Sequence, residues 1–223
     1  MNKKDIRKSV LVLRDRISAK DKAKYDASIL EIVTGMEEYR EADAILAYVS
    51  YKSEVDTTTL IRQALADGKY VFTPKVSGDK MEFWQITAME DLQEGYRGIR
   101  EPVQSIAFPD WVEERYSIVD ADIITDKVEG CAPERCKVMM LMPGVVFDRQ
   151  RHRIGYGGGF YDRYLNRMTG DTDDAEWTRN NLARQVSLVT AALAYSCQVL
   201  EQIPYEEHDI RPALLITEQG ICC

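Results

Sequence analysis

The sequence predicts an α/β protein built on a largely parallel sheet with helices on both faces. Strand-like and helix-like segments alternate along the chain. Several strand-like segments are continuous apolar runs, which is typical of parallel strands that are buried on both faces. At 223 residues the chain has the length of one domain, although two small ones are also compatible. We expect a single domain over residues 1–223.

Four helices are predicted from apolar periodicity and capping residues. The first covers residues 3–17, and its apolar face carries Ile6, Val10, Leu13 and Ile17. The second follows Ser18 and runs to about residue 39. The third is capped by Asp56 or Thr57, and Asp67-Gly68 ends it. The fourth covers about residues 160–168, directly after a glycine-rich segment.

Seven strands are predicted between these helices. They are residues 44–49, 70–73, 81–86, 118–125, 138–142, 186–194 and 213–217. The acidic segment 170–181 is predicted to be a surface loop or a short exposed helix.

Charge and cysteine content exclude several classes of protein. The net charge of -8 argues against nucleic-acid binding, which normally requires a basic surface. No apolar run is long enough for a membrane span or resembles a signal peptide. Five irregularly spaced cysteines and two histidines do not form a disulfide framework or a zinc motif. We therefore expect reduced thiols, a frayed tail at Cys222-Cys223, a cytoplasmic location and a monomer.

The glycine-rich segment is the main chemical signal. Four of the thirteen glycines lie between Gly155 and Gly159, at a turn from strand to helix. The segment is neither a Walker A loop nor a dinucleotide fingerprint, because Phe160 occupies the position of the third glycine. It can form a nest of backbone N–H groups with φ > 0 that binds phosphate. Arg153 can pair with phosphate oxygens and Asp162 can bind Mg²⁺; alternatively, the segment is only a turn and Asp162 a helix-start residue.

Three further segments offer candidate ligand groups. The basic residues Lys3, Lys4 and Arg7 form either a solvated helix face or a cover for a nucleotide. Glu54 lies where a strand ends, the usual ligand position in open α/β sheets, and can hold an amine-bearing group. In His208-Asp209, the carboxylate is a second candidate metal ligand that the sequence alone does not pair with Asp162.

Taken together, these segments resemble the 5-formyltetrahydrofolate cyclo-ligase family, also called 5,10-methenyltetrahydrofolate synthetases. The resemblance follows the order of the chain. Its segments are Lys3-x-x-x-Arg7 with Arg14, Glu54-Val55-Asp56-Thr57, Gly98-Ile99-Arg100-Glu101-Pro102, Met142-Pro143-Gly144-x-x-Phe147-Asp148, Arg153-x-Gly155-x-Gly157-Gly158-Gly159-x-Tyr161-Asp162, and His208-Asp209 with Ile216-Thr217-Glu218.

The resemblance implies a Rossmann-like sheet and an activity. The family closes 5-formyltetrahydrofolate to 5,10-methenyltetrahydrofolate with ATP and Mg²⁺, through a phosphorylated formyl group, and releases ADP and phosphate. The implied site residues are as follows: for ATP, Lys3, Lys4, Arg7, Arg153, Gly155, Gly157, Gly158, Gly159 and Tyr161; for the folate, Val49, Glu54, Gly155, Tyr156, Gly157, Gly158, Gly159 and Phe160; for Mg²⁺, Asp162 and Asp209; for catalysis, Arg153 and Tyr161.

The sequence departs from the family pattern at some positions and leaves other functions open. Tyr156 and Gly158 occupy loop positions where some members carry Arg and Lys, so Arg153 and the N-terminal lysines are expected to meet the phosphate charge. One alternative is a nucleotide-binding paralogue that acts on another formyl or carboxyl compound. A second is a non-catalytic nucleotide-binding protein, and the least favoured is a zinc or redox protein built on the cysteines.

Overall fold

The helices alternate with strands along the chain, as the sequence predicts. A computed structural model describes residues 2–95, 98–116, 135–169, 182–206 and 209–222. In these ranges the helices are α1 (Lys3–Asp15), α2 (Ala19–Gly35), α3 (Glu37–Glu41), α4 (Thr58–Ala66), α5 (Phe108–Tyr116), α6 (Phe160–Thr169) and α7 (Leu182–Gln185). Two single 3₁₀ turns cover Met89–Asp91 and Ser196–Gln198.

The strands form one large sheet and two small ones. They are β1 (Ala44–Ala47), β2 (Tyr70–Ser77), β3 (Lys80–Ile86), β4 (Leu92–Glu94), β5 (Arg100–Pro102), β6 (Cys136–Met142), β7 (Val146–Asp148), β8 (Arg153–Ile154), β9 (Val186–Leu193), β10 (Val199–Leu200), β11 (Leu214–Thr217) and β12 (Gly220–Cys222). The small sheets have the orders β10-β7-β8 and β4-β5.

The large sheet is mostly parallel, which confirms the predicted arrangement. Its order is β12-β11-β9-β6-β1-β2-β3. The five inner strands run parallel, and only the edge strands β12 and β3 pair antiparallel with their neighbours. Parallel strands need crossover connections; α4 lies in the connection from β1 to β2, and α6 and α7 lie in the connection from β6 to β9.

The sheet is buried on both faces by separate apolar clusters. Along β1, Ile45 faces a cluster that includes Ile29 of α2 and Ile61 of α4. Leu46 faces the opposite cluster, which includes Trp111 of α5. Successive residues of a strand point to opposite faces, so a strand covered on both sides must be apolar throughout. This is the physical reason for the continuous apolar runs.

Helix α1 packs against the small sheet rather than the large one. Its residues Ile6 and Val10 join a third cluster with Val146 of β7 and Ile154 of β8. The predicted apolar position Leu13 is wrong, because this side chain is 48% exposed. The next residue, Arg14, is buried instead, since it lies one turn after Val10 on the packed face.

Several sequence-based predictions need correction or fall outside the described residues. The second helix ends at Gly35, because Met36 is extended, with φ -75° and ψ 150°, before α3 begins. Cys222 is not frayed but pairs with Leu215 in the sheet. Cys223, the strand predicted at 118–125 and the segment 170–181 lie outside the described residues. Helix α5 and the strands of the small sheets were not predicted.

The described cysteines and helices add two observations. Cys136, Cys197 and Cys222 are free thiols. Within the described ranges, no helix is both long enough and apolar enough to cross a bilayer.

Candidate active site

The sheet order creates a crevice between β1 and β6. Strand β1 continues to β2 on one side, whereas β6 continues to β9 on the other side. In open α/β sheets, ligands bind outside the carboxyl ends of strands at such a switch point. The loop 48–57 follows β1, and the loop 143–145 follows β6, so both begin at this crevice.

Glu54 is a buried carboxylate in the loop after β1. Its side chain is only 6% exposed, and Oε2 accepts a 2.8 Å hydrogen bond from the Tyr51 amide. The loop is fixed by the Thr57 hydroxyl, which donates to the Tyr48 carbonyl at 2.6 Å and accepts from the Ser50 amide at 3.1 Å. This turn directs the Glu54 side chain inward instead of into solvent.

Burial raises the pKa of Glu54. Other groups lower this pKa and so oppose the effect of burial. They are the Tyr51 amide, the Tyr156 hydroxyl, and the charges of Arg14 and Lys22. A buried carboxylate with few partners is a strong acceptor for N–H groups of a ligand. That Glu54 holds a ligand stays a prediction from the sequence.

The glycine-rich loop has the backbone conformation that the sequence predicted. Gly157 has φ +102° and Gly159 has φ +63°, a region that disfavours residues with a Cβ atom. A Cβ on Gly158 would lie 2.7 Å from the Phe160 ring. Helix α6 begins directly after the loop at Phe160, so the loop meets a helix N-terminus.

Arg153 and Asp162 form an ion pair beside this loop. Arg153 Nη2 lies 2.7 Å from Asp162 Oδ1, and the arginine side chain is 6% exposed. The same oxygen accepts a 3.2 Å hydrogen bond from the Ile210 amide. Because Ile210 follows Asp209, the structure brings the two predicted metal-binding carboxylates to one region. His208 lies outside the described residues.

Two basic residues of α1 contact the glycine loop or the segment that contains Asp209. Lys3 forms ion pairs with Asp209 at 2.7 Å and with Glu206 at 2.9 Å. Arg7 Nε donates to the Gly155 carbonyl at 2.7 Å. Lys4 is exposed and has no contact with the loop in the described parts of the chain. The structure therefore brings Lys3 and Arg7, but not Lys4, to this site.

Tyr161 is a residue of α6 that lies near Arg153. Its hydroxyl is buried and has no hydrogen-bond partner among the described residues. The Arg153 guanidinium lies 5.9 Å from its ring centre. Burial raises the pKa of Tyr161, the Glu54 charge adds to this rise, and Arg153 partly opposes it. Val49, which is 9% exposed, belongs to the apolar cluster against which Tyr161 packs.

The carboxylates do not form a complete metal cage. Within the described ranges, no group of three or more His, Cys, Asp or Glu side chains can hold a metal ion. Asp162 and Asp209 supply hard oxygen ligands, as Mg²⁺ requires. Mg²⁺ commonly binds one or two carboxylates, and phosphates and water complete its coordination, so this donor set fits that mode.

Two arginines at the site were not predicted as site residues. Arg14 is 2% exposed and donates to the Tyr156 hydroxyl at 2.8 Å. Arg163 has Nη1 2.9 Å from the position of a Cβ on Gly159. A sequence signal for Arg14 existed, because it follows Arg7 by seven residues, or two helical turns. No comparable spacing marks Arg163.

Fold and site together define a class of protein. It is an α/β protein with a small-ligand site at a switch point, where guanidinium groups surround a glycine loop next to a buried carboxylate. The family model described as the 5-formyltetrahydrofolate cyclo-ligase family matches residues 1–121 and 125–218. The chain belongs to this family.

Individual relatives agree with the family model. A 5-formyltetrahydrofolate cyclo-ligase of Mus musculus is 26% identical over 200 residues, which are 87% of this chain and 83% of that protein. A mitochondrial 5-formyltetrahydrofolate cyclo-ligase of Arabidopsis thaliana is 29% identical over 207 residues, 88% of this chain and 66% of that protein. The solved structure of Aquifex aeolicus 5,10-methenyltetrahydrofolate synthetase is similar with a TM-score of 0.71 and 25% identity, covering 99% of this chain and 92% of that one.

Proposed function

We propose that this protein is an enzyme that closes 5-formyltetrahydrofolate to 5,10-methenyltetrahydrofolate, with ATP and Mg²⁺, and releases ADP and phosphate. The proposal rests on one observation, namely that a single site consists of two halves. Basic groups and a glycine loop form an anion-binding half, and the buried carboxylate of Glu54 forms the other. Membership in the cyclo-ligase family supports this substrate pair.

The anion-binding half takes the phosphates of ATP. The Gly155, Gly157, Gly158 and Gly159 backbone surrounds them, and the N-terminus of α6 favours their negative charge. Arg7 and Lys3 approach from α1, as the bond from Arg7 to the Gly155 carbonyl supports. Tyr161 completes the proposed contacts with the nucleotide, whereas the exposed Lys4 is not assigned one.

Asp162 and Asp209 would hold Mg²⁺, and phosphate oxygens and water would complete its ligands. The support is that both are oxygen donors in one region, linked through the Ile210 amide. When bound, Mg²⁺ supplies positive charge against the phosphates. Lys3 and Arg153 hold these carboxylates in the absence of the metal, since each already forms an ion pair with one of them.

The carboxylate half takes the pterin end of the folate. Glu54 accepts N–H groups of the pterin, and Val49 lies against its rings. The residues Gly155 to Phe160, which include Tyr156, lie between the two substrates. The burial of Glu54 supports this assignment, because a desolvated carboxylate forms strong hydrogen bonds with a ligand that excludes water.

The reaction proceeds through a phosphorylated formyl group. The formyl oxygen attacks the γ-phosphorus, and the bond from that phosphorus to the bridging oxygen breaks to release ADP. N10 then attacks the formyl carbon and loses its proton, and phosphate leaves with the formyl oxygen. Arg153 stabilises negative charge on the transferring group. The raised pKa of Tyr161 keeps its hydroxyl protonated as a donor beside this position.

The remaining expectations concern the whole protein. The chain forms a single Rossmann-like domain over residues 1–223 and acts as a monomer in the cytoplasm, without nucleic-acid or membrane partners. The parallel sheet and the match of one family model over residues 1–121 and 125–218 support the single domain.

Absorbance of the methenyl product tests the proposal directly. The protein is mixed with 5-formyltetrahydrofolate and Mg²⁺, with and without ATP. We expect an ATP-dependent rise that Asp162→Asn abolishes. Asp110→Asn is the matched control, because Asp110 is an exposed acid in the first turn of α5 and lies outside the site. It should react like the wild type.

A failure would be informative about the substrate. Folded protein that binds Mg²⁺·ATP but gives no product would reject the folate reaction and favour a paralogue for another formyl or carboxyl compound. A rise that persists in Asp162→Asn would reject the role of this carboxylate.

A further inference from the structure

Arg14 is a buried cation that forms no direct salt bridge within the described ranges, although its charge acts on the nearby Glu54 carboxylate. The Arg14 side chain is 2% exposed, and none of the ion pairs involves it. Its hydrogen bonds go to neutral groups: Nε donates to the Ser53 hydroxyl at 3.0 Å, Nη2 to the Tyr156 hydroxyl at 2.8 Å, and Nη1 to the Gly144 carbonyl at 3.5 Å. Burying a guanidinium is costly, so this position calls for an explanation.

The three acceptors belong to three different loops of the active site. Ser53 precedes Glu54 in the loop after β1. Gly144 lies in the loop after β6, and Tyr156 lies in the glycine loop. One side chain from α1 therefore holds together the two sides of the switch point and the loop that lies beside them. These contacts are typical of a residue that positions the loops around a site.

The direction of each hydrogen bond follows from the chemistry of Arg14. A guanidinium donates and cannot accept. The Tyr156 oxygen must therefore accept from Arg14, and its own proton is directed elsewhere. The nearby acid is Glu54, since the Tyr156 hydroxyl lowers the pKa of the Glu54 carboxyl and the Glu54 charge raises that of Tyr156. The Ser53 hydroxyl accepts from Arg14 in the same way and donates to Asp15.

Tyr156 can donate to Glu54 because it stays protonated. Burial raises its pKa to about 12, the Glu54 charge contributes to the rise, and Arg14 partly opposes it. The Tyr156 residue nevertheless remains half exposed, so part of its ring is open to solvent. This tyrosine is therefore near the carboxylate and also accessible to a ligand.

We propose that Arg14 is a positioning residue that acts through Tyr156 on Glu54 and thereby sets the affinity for the pterin end of the folate. Arg14 holds the tyrosine hydroxyl in place, and the tyrosine fixes the carboxylate oxygen to which it donates. The Glu54 carboxylate also accepts from the Tyr51 amide through Oε2, which restricts its orientation toward the ligand. The inference rests on the proposed function, because it assumes that the ligand of Glu54 is the folate.

A set of four variants tests this chain of contacts. They are Arg14→Gln, Tyr156→Phe, the double variant and the control Arg16→Gln. Arg16 lies two residues from Arg14, carries the same charge and is exposed. Titration calorimetry with 5-formyltetrahydrofolate, without nucleotide, measures the dissociation constant of each. A second titration with Mg²⁺·ATP separates a loss at Glu54 from a general distortion of the site.

We expect each single variant to weaken folate binding about tenfold, the loss associated with a hydrogen bond to a charged group. The double variant should bind about as weakly as Arg14→Gln alone, because both substitutions break one chain of contacts. Binding of Mg²⁺·ATP should change less than about twofold in Tyr156→Phe, since the backbone of the glycine loop is unchanged. Arg16→Gln should match the wild type in both titrations.

Three results would overturn the inference or its basis. Wild-type folate affinity in Tyr156→Phe would overturn it, and this variant removes only one oxygen, so it serves even if Arg14→Gln fails to fold. Losses that multiply in the double variant would show that the two residues act separately. Wild-type protein that binds no 5-formyltetrahydrofolate would instead reject the proposed function.

Discussion

Replacing Gly159 with alanine tests whether the glycine loop is a ligand site or only a turn. Gly159 has φ +63°, where an alanine costs about 1–2 kcal/mol because its Cβ approaches the following carbonyl. The new methyl would also lie 2.9 Å from Arg163 Nη1 and displace this flexible side chain. At about 2–4 °C per kcal/mol for a chain of this size, the melting temperature should fall by about 2–8 °C.

The same substitution should weaken ATP binding about tenfold, since the loop amides and Arg163 both shift. Thermal unfolding and the KM for ATP measure the two effects. Gly68→Ala is the matched control: Gly68 has φ +76°, follows α4, and has nothing within 4 Å of a new Cβ. Both variants should lose similar stability. If both also keep the wild-type KM for ATP, the loop is a turn without a role in nucleotide binding.

Three further predictions concern buried groups around the site and in the core. Asp148→Ala should lower the free energy of unfolding in urea by about 3 kcal/mol, because the carboxylate accepts from three backbone amides that would lose their partner; a loss below about 1 kcal/mol would contradict this reasoning. Trp111→Ala should cost about 3–5 kcal/mol in the same measurement, since the ring is fully buried on α5, while the KM values stay unchanged at a temperature where the protein is folded. Glu54→Gln should raise the melting temperature at neutral pH, and this gain should vanish in acid. The sign follows from the raised folded-state pKa of Glu54: its contribution to stability is present below the unfolded-state pKa and is lost as the pH rises through the folded-state value. A melting temperature that falls at neutral pH would show that the carboxylate stabilises the fold.

The large sheet could be predicted because burial on both faces leaves a clear sequence pattern. The strands of the small sheets could not, since β8 and β10 have two residues each and show no periodicity. Helix α5 was not predicted, because its few buried side chains lie among acidic and basic residues and do not form a clear apolar pattern. In α1 the apolar residue Leu13 was expected inside and Arg14 outside, whereas the structure has the reverse. Arg14 can be buried because its guanidinium group donates hydrogen bonds to three acceptors.

The site was predictable where it lies within one segment. The positive φ angles of the glycine loop followed from its composition alone. The proximity of Asp162 and Asp209 did not, because it depends on a contact between residues 48 positions apart in sequence. The contact of Arg7 with the loop spans 148 positions, and its helix could equally have faced solvent.

The geometry of the glycine loop also limits how this site can change in evolution or by design. Gly157 and Gly159 are constrained by their backbone angles, and a side chain at 158 requires the Phe160 ring to move. A Cβ at 155 would lie 3.2 Å from Arg153 Nη1. Residue 156 can therefore be substituted without a change in the backbone path of the loop. A substitution at residue 156 is therefore the simplest way to change the ligand preference of the site.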